Sequence, residues 1–206
     1  MTSRFKALTA GFLAMLVMGI GSGTASAKVA EFVSAAYPAT LTGSQTVAHE
    51  IKTKAGKIKC STVSFSGPLT GQQPTLPAAP TYGGCSLGGV ATGFTLNNCE
   101  YTFLAGLITE PNESLGFFSV ECAPKNEMVF LEPKSGCEIK IPKQELLSFV
   151  DFKTAAGGND FDVILDVDFI KYTLNGKCGV VAGTYEDGEY TGQLTYKGNN
   201  GVVIIE

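Results

Sequence analysis

The chain has no tryptophan and a single histidine, His49, among its 206 residues. Without tryptophan it lacks the indole platforms that many carbohydrate-binding modules use to stack sugars, although its tyrosines can serve the same purpose. With one histidine, a Ser-His-Asp or Cys-His catalytic unit would have to use His49. The flanking Thr46-Val47-Ala48-His49-Glu50 reads as ordinary strand, with His49 a surface or half-buried residue. No Gly-x-Ser-x-Gly elbow, His-Glu-x-x-His pair or phosphate-cradling glycine loop occurs. Close cysteine pairs are missing too: the shortest gap is the 14 positions between Cys85 and Cys99, too long for a zinc-binding C-x-x-C. Basic residues are outnumbered, 15 against 19 acidic, so the surface does not suit a nucleic-acid backbone. No catalytic residue is identified.

Long apolar runs are confined to one place. Arg4 and Lys6 precede an apolar stretch from Ala7 to Ile20, and Ala25-Ser26-Ala27 follows it. This is the pattern of a secretory signal with a small-x-small cleavage site. The stretch is shorter than the roughly 20 residues that span a bilayer. A signal peptide over 1–27 is expected, releasing a protein of residues 28–206 with no further membrane-spanning segment, secreted to the cell exterior. Its removal takes Arg4 and Lys6 and moves the formal charge from -4 to -6.

What is abundant agrees with export. Cys60, Cys85, Cys99, Cys122, Cys137 and Cys178 all lie beyond the leader and are even in number, so an oxidising compartment would make them disulfides. About 15 connectivities are open; the sequential one, Cys60–Cys85, Cys99–Cys122 and Cys137–Cys178, is expected because each pair can flank a hairpin or short excursion.

The dominant period is two, which predicts an all-β fold, a disulfide-stapled antiparallel sandwich or barrel with meander hairpins. It forms one domain or two packed subdomains meeting near 106–115. The clearest strand runs from Asn159 to Thr173, with Phe161, Val163, Leu165, Val167 and Phe169 on one face. Asn175-Gly176 and Asp187-Gly188 read as hairpin turns. Further strands are expected at Thr46–Thr53, Lys57–Phe65, Cys99–Leu104, Gly116–Cys122, Met128–Leu131, Cys137–Ile141, Phe149–Lys153 and Val202–Ile205. Ser66 to Gly84 reads as loop with at most a short strand, and Lys143 to Leu147 as the only stretch suited to a helical turn.

One metal candidate arises. Asp160, Asp162, Asp166 and Asp168 share a strand face, successive pairs of neighbours standing about 7 Å apart, and hard oxygen ligands suit Ca²⁺. A parallel row cannot wrap an ion, so Glu186 or Asp187 would have to complete the site. The simpler reading is a charged outer face that keeps the strand from pairing with other chains.

Tyr37-Pro38-Ala39-Thr40, Gly56 to Cys60, Pro80-Thr81-Tyr82-Gly83-Gly84-Cys85 and Asn98-Cys99-Glu100-Tyr101-Thr102-Phe103 resemble segments of uncharacterised secreted, cysteine-containing all-β proteins of actinobacteria. The resemblance implies export and disulfides, and carries no activity. Two functions remain as expectations: an extracellular or cell-envelope binding or structural module with a cell-wall or other extracellular ligand, or an extracellular hydrolase using a carboxylate pair.

Overall fold

Alternation of inward and outward side chains builds this molecule strand by strand. In the computed structural model, which describes residues 29–155, 158–198 and 202–205, the chain forms β1 Glu31–Ser34, β2 Ala39–Thr53, β3 Gly56–Leu69, β4 Thr75–Leu87, β5 Val90–Ala91, β6 Gly93–Thr95 and β7 Cys99–Glu110. It continues through β8 Glu113–Cys122, β9 Glu127–Glu132, β10 Cys137–Pro142, β11 Gln144–Thr154, β12 Asp160–Asn175, β13 Gly183–Gly198 and β14 Val202–Ile205. The expected signal peptide and its cleavage point lie outside the described residues. No described helix is long and apolar enough to cross a membrane.

The order β11-β8-β7-β4-β3-β2-β13-β12 closes on itself, because β11 also pairs with β12 from Val150↔Leu165 to Thr154↔Phe161. The result is an eight-stranded antiparallel barrel. Eight strands leave an interior that side chains can just fill, and here aromatic rings fill it. Phe65, Phe103, Phe118, Phe152, Phe161, Tyr101, Tyr190 and Tyr196 are all at most 2% exposed.

Both ends are covered. At one, the β1–β14 ribbon brings Phe32 to ring distances of 5.5 Å from Phe152 and 5.7 Å from Phe161. At the other, β12 runs on past β11 to pair with β10, and β10, β9 and β6 extend the sheet. That extension lays Phe94 and Phe130 against Tyr82, at 4.7 and 5.7 Å.

All three disulfides form in the sequential pairing, and no described cysteine is free. Cys60–Cys85 and Cys99–Cys122 join residues directly opposite each other on neighbouring strands. Cys137–Cys178 ties the start of β10 to the loop before β13.

Several boundaries differ from the sequence expectation, each for a local reason. Phe161, Val163, Leu165 and Val167 are buried as expected, but Phe169 is 69% exposed at φ 62° and Ile170 takes the inward place. A bulge in β12 has shifted the register there. Asp187-Gly188 is no hairpin turn: β13 continues through it, with Gly188 opposite Ile170, because the partner strand bends at the same point. Asn175-Gly176 starts a longer loop, since β13 resumes only at Gly183, opposite Leu174, after the excursion that delivers Cys178. Ser66 to Gly84 is largely strand. Leu76, Ala78 and Pro80 alternate inward, a pattern that two prolines disguise as a loop. Lys143 to Leu147 makes no helical turn and opens β11 with two register shifts.

Candidate functional site

His49 is the first surprise, being 2% exposed inside the barrel rather than at its surface. His49 stands two residues before the buried Ile51, in the same alternation that buries Ala39 and Leu41, while Glu50 faces Lys57 and Lys59 outside; the register slip of β2 between Ser44 and Glu50 leaves Val47 exposed. The ring lies on Gly192. A Cβ built there would come within 2.7 Å of three imidazole atoms, so only glycine leaves it room.

Four polar side chains then connect in one line. His49 Nε2 meets the Gln193 carbonyl at 3.3 Å, which requires the hydrogen on that nitrogen. Nδ1 therefore accepts from the Tyr190 hydroxyl at 2.7 Å. Tyr190 in turn accepts from Tyr82 at 2.9 Å, and Tyr82 from Tyr101 at 2.7 Å. Every donor in the chain has an acceptor, so the network is complete in one direction only. Burial lowers the His49 pKa to about 4 and raises those of Tyr82, Tyr101 and Tyr190 well above the usual phenol value. At neutral pH all four are uncharged. With no carboxylate in the line among the described residues, the arrangement ties strands β2, β4, β7 and β13 together. Period two places Tyr82, Tyr101 and Tyr190 inward, but nothing in the sequence indicates that their hydroxyls converge on His49.

The carboxylates of the calcium candidate disperse. Asp162 accepts from Thr195 Oγ1 at 2.5 Å, and Asp160 faces Lys197 at 3.5 Å. Asp187 lies beside Gly188, opposite Ile170, some eight residues further along β12 from Asp162, or about 26 Å. There it accepts from Tyr172 at 2.9 Å and pairs with Lys54 at 2.7 Å. Both partners hold its carboxyl below the usual range, while burial raises Tyr172 to about 12. No three potential ligands converge on a metal-sized space among the described residues.

Two carboxylates do line one depression. Glu100 and Glu121 face each other across β7 and β8 in a shallow groove of ≈ 460 Å³ beside the Cys99–Cys122 bridge. The groove is open to solvent, and Glu121 is bound to Lys143 at 2.9 Å. No family model, curated protein or solved structure matches the chain.

Proposed function

We propose that this protein is exported and works outside the cytoplasm as a binding or structural module of the extracellular space or cell envelope. Its ligand is engaged by the outer surface of the barrel. The observation that carries this reading is the filled interior: among the described residues aromatic rings occupy the barrel and further rings cover both ends. The leader pattern of residues 1–27, the resemblance to secreted actinobacterial proteins and the three disulfides support the compartment. Glu100 and Glu121 are the carboxylate pair that a hydrolase reading would use, and the open groove and the Lys143 contact weaken it.

The test has two arms. Expression of the full chain in an exporting host, followed by fractionation and N-terminal sequencing, should give an exported protein beginning at Lys28. Retention in the cytoplasm would defeat the compartment. The purified protein should bind cell-wall material, glycans or peptides without turning over ester, peptide or glycoside panels. Turnover lost in Glu100→Gln or Glu121→Gln would replace the binding reading with the hydrolase.

A further inference from the structure

The outer surface of the barrel is not uniform. On β2, β3 and β13 the outward positions are mostly Thr, Ser, Lys and Glu, as in Thr40, Thr42, Lys57, Lys59, Thr191 and Lys197. On β7, β8, β11 and β12 a run of apolar side chains is set among charged and polar ones such as Glu100, Glu121, Asp160, Asp162 and Lys171. Leu104 stands opposite Phe117, and Phe117 opposite Phe149, with the two rings 5.2 Å apart. One rung along, Leu115 and Ile164 flank Asp151 from either side. An apolar wall of this kind on one side of a barrel marks an interaction surface.

The wall is extended where β11 parts from β12. The ladder between them stops at Val150↔Leu165, and side chains take over. Ser148 Oγ accepts from the Asp168 N–H at 3.0 Å, and the Gln144 amide spans the Lys171 N–H and carbonyl at 2.5 and 2.9 Å. Around this break Leu146 and Phe169 both take positive φ, 48° and 62°. Each is an unfavourable backbone state for a bulky residue, yet the side chains held there, with Phe149, are 60 to 69% exposed. The backbone strain thus displays apolar groups instead of burying them.

Two carboxylates are set into this wall. Asp151 lies opposite Ile164, so Asp166 is its diagonal neighbour, about 7–8 Å away. Both are exposed and neither closes a salt bridge among the described residues; the nearby Lys153 is bound to Glu113 at 3.0 Å. Charge complementarity therefore selects the occupant. A second copy would bring these carboxylates against their own kind, and an anionic lipid surface would repel them. A cation flanked by apolar side chains satisfies both features of the wall.

We infer that the wall formed by Leu104, Phe117, Phe149, Ile164 and Phe169 docks a polypeptide segment that presents Phe, Leu or Ile side chains beside an arginine or lysine, the cation meeting Asp151 and Asp166. This rests on the outer-surface binding reading and names its site and partner chemistry.

The probe is a phage-displayed library of random peptides selected on the oxidised protein. Selected peptides should place Arg or Lys next to Phe, Leu or Ile. Phe149→Ser and Phe169→Asn should each weaken binding about tenfold or more. The double variant Asp151→Asn, Asp166→Asn should weaken it severalfold and reduce its salt dependence. Val47→Ser, which removes a 52% exposed side chain from the opposite wall, should leave it unchanged. All these positions are exposed, and unchanged circular dichroism would show that the variants fold. A library that yields no binder, or peptides without the basic-apolar pairing, overturns the proposal. So does binding to neutral or anionic phospholipid vesicles, or self-association, that the same wall variants abolish. Peptides indifferent to the wall variants overturn this surface but leave outer-surface binding standing, whereas catalytic turnover defeats the underlying reading itself.

Discussion

Acidification should destabilise this protein well above the pH at which its carboxylates titrate, and His49 should be the cause. Burial holds the folded pKa at about 4 against an ordinary 6.5, with the Gln193 carbonyl opposing only part of that shift. The groups packed around the ring are Tyr190, Phe65, Gly192 and the Gln193 carbonyl, and none is charged. As pH falls through 6.5 the unfolded chain takes up a proton that the folded chain refuses. Stability is therefore complete above that point, declines across the window, and the whole contribution is lost near pH 4. At 1.36 kcal/mol per pKa unit the full loss is about 3 kcal/mol, and about 2 kcal/mol is gone by pH 5. Protonation also reverses the hydroxyl line, since Nδ1 would donate where it now accepts from Tyr190. Glu50, Glu132 and Asp187 have pKa values below their ordinary ones, so their contributions fail only at lower pH and equally in any His49 variant. Urea unfolding at about pH 7.5, 6 and 5 should show the loss in the wild type, and His49→Gln should be flat over the same range. Parallel curves for the two proteins would refute the assignment.

Three further outcomes follow from the interior and the register. Tyr190→Phe leaves His49 Nδ1 without a donor and the Tyr82 hydroxyl without its acceptor and should cost about 1–3 kcal/mol in urea unfolding, whereas Tyr196→Phe removes a buried hydroxyl with no partner and should be neutral or stabilising; equal effects would deny the network. Gly192→Ala should drive His49 out of its seat at a cost of about 1–3 kcal/mol and raise the pKa of the histidine toward its ordinary value in an NMR titration; an unchanged titration would show that the ring does not need that space. Leu165→Asp should abolish recovery of folded protein while Asp166→Asn leaves the melting temperature within experimental error; a similar effect of both would put the β12 register in doubt.

Much of the fold was legible because one face of nearly every strand is buried. Phe161, Val163, Leu165 and Val167 could point only inward. Cysteine spacing led to the correct bridges because Cys60–Cys85 and Cys99–Cys122 each flank one hairpin, while Cys137–Cys178 encloses β10, β11 and β12 and closes where β10 pairs with the end of β12. The failures occurred where a local signal is ambiguous. Asp-Gly marks a tight turn or a bulge equally well, and at Asp187-Gly188 it is a bulge because Ile170 and Phe169 on the partner strand bend with it. Pro77 and Pro80 read as strand breakers although Leu76, Ala78 and Pro80 all face the core. The inward side of His49 follows from its place two residues before Ile51, although a lone histidine there reads as a surface or half-buried residue; its partners were not legible, because Tyr190, Gly192 and Gln193 come from a strand distant in sequence.

The bulges that defeated the sequence reading also add two apolar side chains, Phe169 and Leu146, to the exposed wall. A regular β11–β12 ladder continued beyond Val150↔Leu165 would keep strict alternation, and Phe169 would take the inward place after Val167. The shift in β12 gives that inward place to Ile170 and turns Phe169 outward, beside Asp168 rather than in alternation with it. The shifts in β11 do the same for Leu146, which would otherwise alternate inward with Val150 and Phe152. The same irregularity frees the distal part of β12 to pair with β10, from which β9 and β6 carry Phe130 and Phe94 over the open end at Tyr82. The break between β11 and β12 thus lies where the end of the barrel is covered and where Phe169 and Leu146 are exposed. A substitution that regularised the break, such as Phe169→Asn relieving the positive φ, should therefore leave the fold intact while removing a side chain from the wall. Stability held or raised together with lost peptide binding is the combination expected of a strained residue retained for recognition.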